Sequence, residues 1–246
     1  MPPVSTPLAA LLLVVLQALT GCGAGGGAGG GAVVSGSSPA SSGPPSGGPS
    51  SSPEPVPTAT AESSSAAPEV PHTDGRPRRA LLSIPRLGMT ELPVEPYRGR
   101  TDDAPGTEIQ DGGVAASPFG PRGGTGPGGI GNYQVTAHRL SSTQAFLDLP
   151  RLRAGDLVHV DVGSRRLTYE VTRTRITSFR EPASLRAQRA AVPGRPGVEA
   201  TRAMITLSTC RTPEDRAEGN TWSDRFGNPE HRIDKIGVLR SIERRP

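Results

Sequence analysis

The sequence predicts an all-β domain, a small closed barrel of about eight short strands with one or two short helices, behind a long leader without a core. Three observations point there. Helical periodicity is scarce beyond Arg76, apolar runs are short and punctuated by Gly and Pro, and strands do not alternate with helices as a parallel sheet requires.

The leader explains the composition. The chain has 246 residues with 32 Gly and 27 Pro, and only 33% are hydrophobic. Most of that poverty lies between Gly21 and Gly75, where Gly, Ala, Ser, Pro, Thr and Val dominate and no core can offset the cost of ordering the backbone. Ahead of it, Leu8–Leu19 is an apolar run shorter than the roughly 20 residues of a membrane span, and it suits the apolar core of a signal peptide. The run ends in Leu19-Thr20-Gly21-Cys22, which resembles a bacterial lipobox with Cys22 as the lipidated residue. The residues before it contain no Lys or Arg, so that signal is weakly charged. The expected layout is a signal and lipobox over 1–22, a disordered linker over 23–78 and a folded domain over 79–246. That places the domain on the extracytoplasmic face of the membrane, anchored through lipid on Cys22 or through the apolar segment, on a tether of about 40 Å root-mean-square length.

Charge follows the same division. No Lys or Arg precedes Arg76, whereas Glu54, Glu62, Glu69 and Asp74 do, so the net positive charge belongs to the folded part. Its basic side chains are arginines except for Lys235. A basic face attracts anionic lipid, wall polymer or nucleic acid. The 3% aromatics, the lack of a clustered basic run and the secretion signal argue against nucleic acid, so no nucleic-acid partner is expected.

The elements follow in order. Ala80–Ile84 is a strand stopped by Pro85, Thr90–Val94 a weaker extended segment, and Gly99–Gly129 mostly loop. Asn132–Ala137 is a buried strand leading to His138. Ser141–Leu152, with Ser or Thr as a cap and Phe146 and Leu149 on one face, is the best helix. Asp156–Asp161 and Arg166–Arg173 alternate about Gly163-Ser164, a hairpin pattern, and Arg175–Ser178 extends the second strand. Ala203–Thr209 delivers Cys210, and Ile233–Ile242 closes the set.

Cys22 has its own explanation, so Cys210 is left as an unpaired thiol in an exported chain and a candidate nucleophile. A thiol attacks as the thiolate, which a nearby cation favours. His138 can play that part and then act as general acid, and Arg232 offers planar donors for a carbonyl or an oxyanion. Arg139, Arg211, Arg216 and Arg225 remain alternatives for the cationic role.

Thr206-Leu207-Ser208-Thr209-Cys210 resembles the TLxTC motif of sortases, and Ala137-His138-Arg139 resembles their His motif. Arg232, just before Ile233, matches the Arg that opens their last strand. The resemblance covers about Leu81 to Ile242 and is nearest to the class E sortases of high-GC Gram-positive bacteria. It implies a barrel in which Cys210 is nucleophile, His138 general acid and base, and Arg232 the holder of substrate carbonyl and oxyanion. It also implies transpeptidation with hydrolysis as a side activity. Cys210 would cleave an LPxTG-like or LAxTG-like motif at Thr and pass the acyl group to a peptidoglycan or pilin amine. The partners implied are surface proteins bearing a C-terminal sorting signal. Thr209, Ile176, Phe179, Leu185, Val192 and Trp222 are candidate substrate-binding residues, the middle four because Thr177–Arg202 and its approach lie where the family places its sorting-signal pocket. No cofactor is implied, and no carboxylate cluster suggests a calcium or other metal site.

The stretch from Arg211 to His231 is longer than the family pattern leads one to expect, and it contains the sole Trp. It suits a lid, part of an acceptor groove, or a tolerated surface insertion. Two competing functions fit the residues less well. An L,D-transpeptidase-like cross-linker would place Gly, not Thr209, before the Cys. A non-catalytic wall-binding lipoprotein would not need all three chemical groups.

Overall fold

The computed structural model describes residues 70–225 and 227–245. The expected lipidation at Cys22, the signal and nearly all of the linker lie outside the described residues.

Eight strands close a barrel. They are β1 (Ala80–Ile84), β2 (Met89–Arg98), β3 (Ala115–Phe119), β4 (Gly131–Thr136), β5 (Leu157–Val162), β6 (Arg165–Ser178), β7 (Ala203–Cys210) and β8 (His231–Arg244). Around the barrel the order is β1-β2-β3-β4-β7-β8-β6-β5, with β5 returning to β1. Three short α-helices sit in the connections: α1 (Ala104–Asp111), α2 (Pro182–Arg189) and α3 (Thr212–Ala217).

Alternation decides which side chains enter the core. On β4 and β7, Tyr133, Val135, Ile205 and Leu207 are buried in the apolar cluster, joined by Leu82, Val160, Leu167 and Tyr169 from other strands. The hairpin at Gly163-Ser164 forms as expected, with Val162 opposite Arg165 and Gly163 at φ 57, where a residue without Cβ is at ease. One face of β7 points away from that core, and it ends in the nucleophile candidate.

Two segments differ from expectation. The glycine-rich stretch expected as loop contains α1 and β3. Asp103 caps α1 by accepting from the Gly106 amide, and Ala115, Ala116, Ser117 and Pro118 are all buried, so β3 has no polar alternation to read. Conversely, the helix expected over Ser141–Leu152 is a series of turns ending in a 3-10 turn, Leu149–Arg151. Ser142 and Gln144 adopt φ of 54 and 55, and the hydroxyls expected to cap a helix donate to the Asp111 and Gly113 carbonyls instead. Phe146 still fills the core, its amide bonded to the His138 carbonyl at 2.9 Å. Tertiary bonds override the local cap.

Candidate active site

Strand register assembles the site. β4 and β7 run parallel with Thr136 beside Ser208, and the next rungs continue through the Ala137 amide to the Ser208 carbonyl at 3.3 Å. Thr209 donates its hydroxyl to the Ala137 carbonyl at 2.8 Å. Cys210 and His138 therefore leave adjacent strand ends together and line one cavity of about 290 Å³, with Thr107, Asp111, Asn228 and Pro229. On the other side, β7 and β8 are antiparallel and Cys210 pairs with Arg232.

Arg232 is buried, with its guanidinium carbon 4.1 Å from the centre of the Phe179 ring, a cation–π contact. Its Nε donates to Asp102 Oδ1 at 3.2 Å and its Nη1 to the Pro229 carbonyl at 2.8 Å. Among the described residues neither its Nη2 nor Asp102 Oδ2, both buried, has a partner. Burial works against the Arg232 charge, but Asp102 and Cys210 outweigh it and hold its pKa above the ordinary value. Burial pushes the Cys210 thiol pKa up. Arg232 opposes that, Asp102 and Asp224 add to it, Arg139 opposes it, and the net direction is upward. The gap between Cys210 and Asp102 encloses no room for a water molecule.

His138 is oriented by Asp111, whose Oδ1 is 2.8 Å from Nε2. A carboxylate only accepts, so Nε2 carries the proton and Nδ1 is left as the ring atom able to exchange one with a thiol. Two of the other arginines in question, Arg139 and Arg211, are tied to carboxylates at α3. Arg139 grips Glu214 of α3 through two bonds of 2.5 and 2.9 Å and donates to the Cys210 carbonyl at 3.3 Å. Arg211 pairs with Asp215 and Glu218. His231 faces Asp215 at 2.9 Å and braces α3 rather than the thiol.

The candidate substrate residues scatter. Phe179 shapes the site through Arg232, whereas Thr209 is buried with its hydroxyl spent between strands, a positioning part rather than an exposed contact. Ile176 is 44% exposed on β6, away from the cavities around Cys210, because its neighbours Arg175 and Thr177 take the opposite face. Leu185 lines a different cavity, on α2. Val192 lies in the turn beyond α2, its carbonyl accepting from the Arg195 amide. Trp222 stacks under Arg180 at 5.6 Å, and it is the later part of its loop, Gly227 to Pro229, that reaches the cavity of Cys210 and His138. Asp102 and Asp111 escaped the sequence reading. The Asp-Asp-Ala-Pro start of α1 was the available signal, since it marks a helix cap. Among the described residues no three His, Cys, Asp or Glu side chains gather as metal ligands.

Comparison with known proteins bears on the family and the fold. The family profile described as a sortase domain matches residues 82–226, more than half of the chain. No sequence among the curated proteins matches. Among solved structures, the SrtA sortase of Actinomyces oris is 20% identical, with TM-score 0.53 over 74% of this chain and 93% of that one. Sortase E1 of Streptomyces coelicolor, solved with a tripeptide in its active site, is 19% identical, with TM-score 0.51 over 71% and 94%. Sortase E of Streptomyces avermitilis is 26% identical, with TM-score 0.49 over 70% and 93%.

Proposed function

Because the chain belongs to the sortase family, a family of transpeptidases, we propose that it cleaves a class E-like LAxTG or LPxTG sorting motif at Thr and passes the acyl group to a wall or pilin amine. The observation that carries the reading is the meeting of Cys210 with Arg232 across β7–β8 and with His138 across β4–β7.

In this reading the Cys210 thiol gives its proton to His138 Nδ1, and the thiolate attacks the Thr carbonyl carbon. Arg232 Nη2, buried and without a partner at rest, is the donor ready for the oxygen on which charge develops. The Thr–Gly C–N bond breaks as His138 protonates the departing amine, leaving a thioester. An incoming amine loses its proton to His138, forms the new amide and restores the thiol. Water in place of the amine gives hydrolysis. Asp111 keeps the imidazole in the tautomer this cycle requires. Membrane anchoring through Cys22 or the apolar segment belongs to the same proposal, since it would hold the enzyme where sorting substrates emerge.

The test is intact-mass measurement after mixing the protein with an LAxTG peptide. The expected result is a thioacyl adduct on Cys210 that disappears on adding an amine and never forms with Cys210→Ala. Cleavage unchanged by Cys210→Ala would sink the reading.

A further inference from the structure

Beyond the catalytic cavity lies a second one of about 550 Å³ that shares no lining residue with it. Four arginines surround it: Arg100 after β2, Arg122 after β3, and Arg186 and Arg189 on α2. Arg189 donates to the hydroxyl and carbonyl of Thr101, at 2.9 and 3.0 Å, and among the described residues no carboxylate forms an ion pair with any of the four side chains. Two acids that act on Arg189 are committed. Asp102 binds Arg232, and Asp103 accepts from the Gly106 and Arg100 amides. Leu185 and Pro196 add apolar surface. Four cations converging on one concavity repel one another, and that repulsion is relieved by an anionic guest.

We propose that this cavity binds acidic side chains on the amino-terminal flank of the sorting motif. The proposal rests on the transpeptidase reading above. Continuity with the site favours a peptide as the guest. Arg100 lines this cavity and Asp102, two residues on, lines the gap beside Cys210. On α2, Arg189 faces the cavity while Gln188 reaches Asp234 and Ser208 at 2.9 and 3.3 Å, two residues before the nucleophile. An extended chain laid past α2 toward Cys210 advances about 3.3 Å per residue, so the length of flank that engages the arginines is itself measurable. The apolar lining suits a mixed acidic and aliphatic peptide better than a bare polyphosphate.

Anisotropy of a labelled LAxTG peptide preceded by two glutamates, titrated with the full chain carrying Cys210→Ala, reads binding without turnover. The expected Kd is about fivefold below that of the matching glutamine peptide, and the advantage shrinks as salt rises. The double change Arg122→Gln with Arg186→Gln, both exposed positions, brings the ratio to about one. Arg86→Gln, exposed and outside the cavity, keeps it. Arg122→Glu shifts the preference toward a lysine-flanked peptide. Equal Kd for the glutamate and glutamine peptides overturns the proposal, and so does a preference that survives the double change. Displacement of the glutamate peptide by phosphatidylglycerol vesicles at lower concentration than by unlabelled peptide would assign the cavity to lipid and overturn it as well. The transpeptidase reading fails separately, if wild type forms no thioacyl adduct with any of these peptides.

Discussion

Asp102 and Arg232 hold each other while each leaves one polar atom buried and unpaired, an arrangement that costs folding energy unless a ligand completes it. A peptide bond supplies both missing groups. The backbone of Asp102 is itself strained, at φ 56 without being glycine. Its carboxylate raises the Cys210 pKa, whereas Arg232 lowers it. Removing the carboxylate charge should therefore make the thiolate easier to form. In Asp102→Asn the pH at which iodoacetamide alkylates Cys210 at half its maximal rate is expected to move down, by up to about one unit. A move upward, or none, would show that Asp102 does not govern the thiol. Asp111 acts one bond further out, on the imidazole. Asp111→Asn is expected to lower kcat roughly ten- to a hundredfold with KM little changed, because it loosens the general acid rather than the binding surface. An effect confined to KM would assign Asp111 to substrate contact instead. The strand ends that place Cys210 and His138 were legible in the sequence because two compact motifs frame them. These carboxylates were not, since their partners are 130 and 27 positions away.

At the level of elements, what the sequence revealed depended on exposure. β5 and β6 alternate because one face meets water, so their hairpin could be read directly, and β4, β7 and β8 could be read from their apolar runs. β3 is buried on both faces and contains Pro118, and Glu181 before α2 makes no side-chain cap, so neither shows the pattern that marks β5 and β6. The hairpin also holds a testable charge pair. Asp161, buried, accepts from Arg166 Nε and Nη2 at 2.8 and 2.9 Å, and that bonding holds its pKa below the usual carboxylate range. A depressed carboxyl pKa stabilises the fold above the unfolded value, and the contribution is lost as pH falls through the folded value. Wild type is expected to exceed Asp161→Asn by about 1–2 kcal/mol at pH 7 and by steadily less below about pH 4. Urea midpoints at pH 7 and pH 3 measure it, and a gap that widens in acid would contradict the assignment.

On the scale of the whole molecule, eight strands share one apolar cluster, so unfolding is expected to be cooperative. Phe146 is fully buried there although its segment is irregular. Phe146→Ala is expected to cost about 3–5 kcal/mol, with fluorescence and circular dichroism transitions that still coincide. Separate transitions would show that the turn after His138 unfolds on its own. The barrel was legible as a count of short strands, but its order was not, because β4 beside β7 and β8 between β7 and β6 are choices no local pattern records.

That order has a consequence for how the protein comes into being. Gln134 on β4 lies beside Thr206 on β7, and the hairpin of β5 and β6 stands between those strands in the chain. Contacts of such long range form late and slowly in a folding chain. Until the two strands meet, Cys210 and His138 do not share a cavity. The proposed chemistry would therefore be a property of the closed barrel alone.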